Sequence, residues 1–242
     1  MYHTLGNFKG AEDLEVIVHE LNPTATLIEM IDELSHDVNI KYIYTKYSTI
    51  FNKSWALNYA VKKVDTGEML CLFDADIIVP RSWLNIARRC ILFCAGFREI
   101  TYLSSAATEQ YYQTGVIDAA SLESTVNKTK KNRSSIIASN LKAPGGILFI
   151  PRHVYTTVKG YDECYTGAGC YDLAFLHKMK RYMGMTRQVT IFKDTVYHLY
   201  HPFNTIRLNA HDARQTKEWS YKNWADHVNK IGDNWGRPLI NA

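Results

Sequence analysis

The segment CLFDADIIVP, residues 71–80, places two aspartates in an apolar run with the composition of a buried strand. Asp74 and Asp76 are two residues apart, so a continuing strand would hold both carboxylates on one face, at a cost of several kcal/mol. A cation between them would remove that cost, because Mg²⁺ and Mn²⁺ bind carboxylates together with substrate phosphates. The spacing indicates a metal site for a phosphorylated ligand. The alternative is a solvated turn in which the aspartates cap the next segment.

The second half of the chain carries further candidate groups. Gly145 and Gly146 precede an apolar run, at a point where the backbone must approach another group closely. Asp172 opens a helical segment, where a carboxylate is also favoured by the helix dipole, so helix capping is the alternative to a chemical role. His198 and His201 are three residues apart and could bind one metal ion if a turn brings them together; packing is their alternative. Manganese accepts imidazole beside carboxylate more readily than magnesium does.

These residues lie in a chain in which short β-like runs alternate with amphipathic segments. This alternation predicts an α/β fold, with parallel strands joined by crossover helices. Ligands of such sheets bind where strands end, which is where Asp74 and Asp76 lie. The predicted helices cover 24–35, 52–64, 82–94 and 171–184, and the predicted strands cover 14–20, 40–44, 69–76, 100–105, 145–151 and 187–192.

Composition limits the class of protein. With 242 residues and 46% hydrophobic content, the chain can bury the core of one generous domain. The charge of +4 is scattered, which argues against a nucleic-acid partner. No apolar run reaches the roughly 18 residues of a membrane span, and no secretory pattern follows Met1, so we expect a cytoplasmic protein. The five cysteines are expected to be reduced, with Cys90 and Cys94 packed in the core rather than binding metal.

Two segments differ from the rest. Residues 113–140 are polar and are predicted to form a flexible loop, either a functional lid or disordered. A solvated surface is favoured over phosphate binding for its basic cluster, which comprises Lys128, Lys130, Lys131 and Arg133. Near the C-terminus, core or interface packing is favoured for the aromatic residues Trp219, Trp224 and Trp235, with stacking of Trp219 and Trp224 on an acceptor sugar as the alternative.

The order of the segments FNKSWALNYAV, MLCLFDADIIVP, GGILFI and GYDECYTGAGCYD resembles that in the metal-dependent inverting glycosyltransferases of the GT-A fold. Family 2 enzymes and the galactosyltransferases with a glycine-rich C-terminal motif are the most similar. The resemblance covers about residues 12 to 202. It implies a single GT-A domain over 1–242, a Rossmann-like nucleotide-diphospho-sugar transferase fold with a mostly parallel central sheet. The nucleotide-sugar half would span about 1–110 and the acceptor and catalytic half about 141–242.

The resemblance also implies roles for individual residues. Asp76 matches the metal ligand of the D-x-D motif, and Asp74 the neighbouring donor contact. His201 and His198 match histidines that complete the metal shell. The implied cofactor is Mn²⁺ or Mg²⁺, and the implied donor is a nucleotide sugar, with UDP favoured. Asp172 holds the position of the general base that deprotonates the acceptor, a hydroxyl of a glycan or another molecule.

Other donor contacts follow from the same alignment of motifs. Glu20 matches an acidic strand-end position that contacts the nucleotide base. Asn52 matches a donor contact in the helix motif, with helix capping as its equal alternative. Gly145 and Gly146 match positions at which the backbone binds the donor.

The sequence departs from the resemblance in two places. Ala168 and Tyr171 stand where relatives carry Trp and Glu, so we expect a different acceptor. The family's opening strand is also missing ahead of residue 12. We expect a shortened chain, with an N-terminal segment or a second chain supplying that strand, or a rearranged N-terminus. Two other functions stay open: a nucleotidyltransferase-type metalloenzyme, and a nucleotide- or glycan-binding module without catalysis.

Overall fold

The computed structural model describes residues 1–47, 51–64, 67–80, 82–117, 146–165, 171–184, 189–190, 192, 194–202 and 235–237. Its elements alternate along most of the chain, as the sequence pattern predicts. In chain order they are α1 (Tyr2–Gly6), β1 (Val16–Asn22), α2 (Ile28–Leu34), β2 (Ile40–Lys46), α3 (Lys53–Lys63), β3 (Met69–Phe73), β4 (Ile77–Ile78), α4 (Trp83–Ala87), β5 (Cys94–Ala95), β6 (Glu99–Tyr102), α5 (Ser105–Thr114), β7 (Ile147–Pro151), α6 (Arg152–Thr157), α7 (Tyr171–Met183), β8 (Val189–Thr190) and β9 (Thr195–His198).

Local signals fix the ends of the longer helices. The side chain of Asn52 caps α3 by accepting a hydrogen bond from the Trp55 backbone N–H at 2.9 Å. Ser104 caps α5 in the same way, with the Ala107 N–H as donor at 3.1 Å. Gly115 ends α5 at a φ of +67°, a conformation that costs glycine little. The starts of α3 and α5 are therefore encoded by polar caps that precede apolar periodicity.

The strands that the structure describes form three hydrogen-bonded sheets. β1 pairs with β2 in parallel, the second sheet has the order β3-β7-β5-β8, and the third has the order β4-β9-β6. The α/β class is confirmed, but the mostly parallel sheet is only partly observed, because β7 runs antiparallel to both β3 and β5. Residues 147–150 are all buried, and a strand covered on both faces shows no alternation that would reveal its direction.

The β3-β7 pair separates two apolar cores. Ile147 and Phe149 belong to a core with α1, α2 and α4, whereas Leu148 and Ile150 belong to a core with α6 and α7. Trp235 also lies in the second core and is 4% exposed, so its predicted packing role is confirmed. Each fully buried Leu or Phe side chain of this kind contributes about 1.5–3 kcal/mol. The two cores together hold rigid the strands that carry the candidate site.

The predicted helix over 82–94 is correct only at its start. α4 ends at Ala87, and Cys94 lies in β5, where it pairs with both β7 and β8. The apolar spacing of this segment fits a helix, but sheet pairing and complete burial of Cys94 decide the structure.

The N-terminal residues pack against the end of β3. Phe8 meets the rings of Phe73 and Trp83 at centroid distances of 5.6 and 6.4 Å. Among the described strands, none pairs with the second edge of β1 or of β3. That a further segment or chain supplies a strand stays a prediction.

The predicted loop begins later than residue 113, because α5 continues to Thr114. Most of that loop, with its basic cluster, lies outside the described residues, as do Trp219 and Trp224. Among the helices that the structure describes, none combines the length and apolar character needed to cross a membrane.

Candidate functional site

The two aspartates of the DAD segment lie in a turn and not in a continuing strand. β3 ends at Phe73, and the Ile77 backbone N–H donates to the Asp74 carbonyl at 3.2 Å. The two carboxylates therefore enter different surroundings. Asp74 enters a pocket with Lys53, and Asp76 faces two histidines. The turn avoids the repulsion that a shared strand face would impose.

Strand pairing brings the histidines to Asp76. β4 pairs antiparallel with β9, with Ile77 opposite His198, and the Leu199 N–H donates to the Asp76 carbonyl at 2.8 Å. His198 Nε2 lies 3.4 Å and His201 Nε2 3.2 Å from Asp76 Oδ2. One ligand atom from each of the three residues lies within 4.8 Å of the others, close enough to surround one metal ion.

Backbone carbonyls orient both imidazole rings. His198 Nδ1 contacts the Leu199 carbonyl at 2.8 Å, and His201 Nδ1 contacts the Pro202 carbonyl at 3.1 Å. A carbonyl oxygen only accepts, so Nδ1 carries a proton in both contacts, and Nε2 is the ring atom that faces Asp76. Metal-ligating histidines are held by this kind of second hydrogen bond.

Asp76 itself has unused capacity for a ligand. Its Oδ1 is buried and has no hydrogen-bond partner among the described residues. A buried carboxylate oxygen without a partner costs about 1–3 kcal/mol. A cation would satisfy this oxygen and both imidazole lone pairs together, so the donor set fits a divalent ion that accepts oxygen and nitrogen.

A pocket beside this cluster contains the base candidate. Tyr161 OH donates to Asp172 Oδ1 at 3.2 Å, and Lys53 Nζ forms an ion pair with Asp74 Oδ1. Lys53 Nζ also lies 5.0 Å from the centroid of the Tyr171 ring. The pocket is lined by Lys53, Leu57, Leu72, Phe73, Asp74, Gly146, Leu148, Tyr161 and Asp172.

Burial and charge set the protonation of this pocket. Burial raises the pKa of Asp172 to about 6, although the positive charge of Lys53 acts against this rise. Burial alone would lower the pKa of Lys53, but Asp172 and Asp74 raise it above its ordinary value, so the side chain stays an ammonium. The pocket thus holds a cation and two carboxylates, and the pKa of one carboxylate, Asp172, is raised to about 6.

The antiparallel direction of β7 completes the pocket. The Asp74 N–H donates to the Gly146 carbonyl at 2.8 Å, which places the start of β7 beside the end of β3. Gly146 has a φ of +119°, and a Cβ there would lie 2.5 Å from Ile77 Cδ1. The positive φ would strain any other residue at this position, and the Ile77 side chain would also have to shift. Gly145 lies outside the described residues.

Glu20 is fully engaged in local structure. Its carboxylate accepts hydrogen bonds from the backbone N–H groups of Thr26 and Leu27 at 2.9 and 3.2 Å, and from Tyr42 OH at 2.5 Å. Burial alone would raise the pKa of Glu20, but hydrogen bonds from Thr26 and Tyr42 outweigh it and lower the pKa to about 2. Glu20 thus holds the turn before α2, and its role as a nucleotide contact stays a prediction.

Asn52 likewise serves the fold. Besides capping α3, its amide nitrogen donates to the Glu163 carbonyl at 2.8 Å. The capping alternative is therefore observed, and donor contact stays a prediction.

The sequence pattern did not single out Lys53 or Tyr161. A signal for Lys53 was present, since a cation at the first position of a helix opposes the helix dipole. Tyr161 lies 11 positions before Asp172 in the chain, so only tertiary folding brings them together.

Comparisons with known proteins bear on the fold. No protein-family model matches the chain, and a search of curated proteins finds no match. Solved structures do match. The structure of GalNAc-T7 with UDP, GalNAc and Mn²⁺ has a TM-score of 0.52 and 12% sequence identity, and the match covers 90% of this chain and 45% of that one. This chain thus spans less than half the length of that GalNAc-T7 chain.

Two structures of Drosophila β1,4-galactosyltransferase 7 match less closely in shape. The catalytic domain in complex with xylobiose has a TM-score of 0.43 and 15% identity, with 86% of this chain and 80% of that chain covered. A mutant in complex with manganese, UDP-Gal and xylobiose has a TM-score of 0.41 and 14% identity, with 84% and 79% covered. From the likeness to GalNAc-T7, the chain has the fold of the GT-A glycosyltransferases.

Proposed function

We propose that the chain is a metal-dependent, inverting glycosyltransferase that transfers a sugar from a nucleotide sugar, with UDP as the favoured nucleotide, to a hydroxyl group. The observation that carries this proposal is the convergence of Asp76, His198 and His201 next to the Asp74–Lys53–Asp172 pocket. The GT-A fold supports it, and so do the UDP and Mn²⁺ bound in the GalNAc-T7 structure.

The three ligand candidates would hold Mn²⁺ in preference to Mg²⁺. Two imidazole nitrogens beside a carboxylate suit manganese, whereas magnesium prefers oxygen ligands alone. When bound, the ion would neutralise the charge of the departing diphosphate. Asp74 and the backbone at Gly146 lie on the neighbouring turn and would contact the donor.

Asp172 would serve as the general base. Its carboxylate would accept the proton of the acceptor hydroxyl as the acceptor oxygen forms a bond to the anomeric carbon, while the bond to the diphosphate breaks on the opposite face. A base works best when its pKa is close to the working pH, and burial brings the pKa of Asp172 to about 6. Tyr161, which donates to Asp172, would hold the carboxylate in place.

The proposal is tested by a transfer assay with the full chain. The protein is incubated with Mn²⁺, a panel of UDP-sugars and simple glycoside acceptors, and UDP release and glycosylated product are measured. We expect one UDP-sugar to give product with an inverted anomeric centre. The variant Asp172→Asn is expected to lose about 10²–10⁴-fold in turnover while binding UDP as the wild type does.

The alternative is a module that binds nucleotide or glycan without catalysis. If the wild type binds UDP in the presence of Mn²⁺ but releases no UDP from any donor, and Asp172→Asn behaves identically, this alternative replaces the proposal. Chemistry at the α-phosphate, with nucleotide transferred to the acceptor, would indicate a nucleotidyltransferase.

A further inference from the structure

Two cysteines meet beneath the turn that joins α4 to β5. Cys90 is 4% exposed and Cys94 is fully buried, and their sulphur atoms are 3.0 Å apart. A disulfide bond has a sulphur separation of about 2.05 Å, so the two atoms would have to approach by only about 1 Å. No other function described above uses either side chain.

The two thiols are chemically unequal. The Cys94 thiol stabilises the thiolate of Cys90 through their hydrogen bond and so lowers the pKa of Cys90, whereas the pKa of Cys94 is raised by the same contact and by burial. The Cys90 thiol also donates to the Leu92 carbonyl at 3.5 Å. Cys90 adjoins the exposed residues Ile91 and Leu92, whereas Cys94 is paired in β5, so Cys90 is the member of the pair that would become accessible as a thiolate and attack first.

Metal binding does not explain the pair. Among the described residues, the convergent group of ligand atoms is that of Asp76, His198 and His201, and neither cysteine belongs to it. Cys71 is the next thiol in the same core, on β3.

The residues that join the two cysteines lie at the surface. Residues Ile91 and Leu92, which join the two cysteines, are 75% and 52% exposed. Opening this turn would expose Cys90 while the pairing of β5 with β7 at Cys94 and Phe149 holds the other thiol. The attacked sulphur and the resolving sulphur would then stay close together.

We propose that Cys90 and Cys94 are a thiol–disulfide exchange site, which forms an intrachain disulfide on reaction with a small-molecule disulfide such as oxidised glutathione. The Cys90 thiolate attacks one sulphur of the oxidant and releases one glutathione. Cys94 then loses its proton and attacks Cys90 Sγ, and the second glutathione leaves. Two cysteine thiols are oxidised, and one glutathione disulfide is reduced to two thiols.

The bond would anchor a strand that borders the candidate site. β5 pairs with β7, and the Gly96 N–H donates to the Ile147 carbonyl at 3.0 Å. Ile147 directly follows Gly146, which lines the pocket. The α4–β5 turn is thus connected to the site through a single strand.

The test uses the native full chain in glutathione redox buffers of increasing oxidised fraction. Free thiols are blocked with N-ethylmaleimide, and the protein is digested with trypsin. Both cysteines fall in one tryptic peptide, residues 90–98, because Arg89 and Arg98 flank them. We expect this peptide to become two hydrogen masses lighter, to carry no maleimide, and to return to its blocked form after dithiothreitol. Cys71 lies in a different peptide, residues 64–81, so its pairing is distinguishable.

Two controls make the outcome decisive. In Cys94→Ser, the reaction is expected to stop at a mixed disulfide of Cys90 with glutathione. The chain unfolded in urea, exposed to the same buffers, reports that the oxidant is active. The proposal is overturned if peptide 90–98 of the native chain still carries two maleimides when the same peptide of the unfolded chain is oxidised, or if it is recovered linked to the Cys71 peptide.

Discussion

The ammonium of Lys53 forms an ion pair with the Asp74 carboxylate, in the pocket that also contains Asp172. Asp76, only two residues along the chain, faces His198 and His201 instead. The two aspartates of one short turn therefore have different surroundings. Asp74 lines the pocket that contains the base candidate, and Asp76 contacts the two histidines that are candidate metal ligands.

Replacement of Lys53 by methionine is expected to leave two carboxylates close together without a cation. The Lys53 side chain is 17% exposed, so the expected loss is at the lower end of that for a broken buried pair, about 3 kcal/mol. Urea denaturation followed by circular dichroism measures it. Lys53→Arg retains the charge and should recover most of the loss; equal losses in both variants would show that packing, not charge, is what Lys53 supplies.

The pKa of Asp172 predicts how stability and activity change with pH. Burial raises this pKa from 3.8 to about 6, so the folded chain keeps a proton that the unfolded chain has released between these values. The free energy of unfolding contributed by Asp172 thus decreases as pH rises from about 4 to 6, and the cost persists above pH 6. Asp172→Asn should not show this pH-dependent decrease in the free energy of unfolding. The variant should therefore become more stable relative to the wild type as pH rises through this window.

The same group sets the acid limb of the proposed reaction. Since a general base must be ionised, turnover should fall tenfold for each pH unit below about 6. Lys53→Met should move this limb to higher pH, because Lys53 opposes the rise in the pKa of Asp172. A pH–rate profile checks both statements, and an unmoved limb in Lys53→Met would contradict the assignment of the base.

Replacement of Gly160 by alanine is predicted to destabilise the fold for a steric reason. It has a φ of +60°, and a Cβ there would lie 2.1 Å from Oδ1 of the buried Asn58. Asn58 Oδ1 accepts from Tyr155 OH and from the Tyr161 N–H, so it cannot yield without losing hydrogen bonds. Gly160→Ala should cost about 2–4 kcal/mol, which combines a left-handed conformation with overpacking.

Gly184 offers a matched control for this experiment. It has a φ of +62° with open space around the added Cβ. Gly184→Ala should cost only about 1–2 kcal/mol, from the backbone conformation alone. Thermal denaturation of the two variants separates the two contributions, and equal losses would mean that the contact with Asn58 is not limiting.

The metal ligands can be tested without a nucleotide. His201→Ala removes one of three ligand candidates and is expected to weaken Mn²⁺ binding at least tenfold, as measured by calorimetry or electron paramagnetic resonance. His153 on α6 is exposed and lies outside the cluster, so His153→Ala should bind Mn²⁺ as the wild type does. Equal affinities in all three proteins would remove His201 from the site.

Much of the fold follows from local patterns in the sequence. The spacing of apolar residues and the cap at Asn52 predict α3, and the alternation of β1, β2 and β3 with helices predicts the α/β class. The direction of β7 is not predictable in this way, because a strand buried on both faces carries the same pattern in either direction.

The site was harder to predict than the elements that carry it. Asp76, His198 and His201 are found from residue type and spacing, and the β4–β9 pairing does bring them together. The turn at Asp74 depends on the hydrogen bond from its N–H to the carbonyl of Gly146, the residue before β7, which is more than 70 residues away in the chain. The environment of Lys53 depends on the fold in the same way. One of its carboxylate neighbours, Asp74, directly follows β3, and the other, Asp172, lies on α7.

The most direct test of the central claim is calorimetric titration of UDP into the full chain, with and without Mn²⁺, for the wild type, Asp76→Ala and His153→Ala. We predict that UDP binds to the wild type and to His153→Ala only when Mn²⁺ is present, and that Asp76→Ala does not bind UDP in either condition. Binding of UDP that is independent of Mn²⁺ and unchanged in Asp76→Ala would contradict the claim that this carboxylate holds the nucleotide through a metal ion.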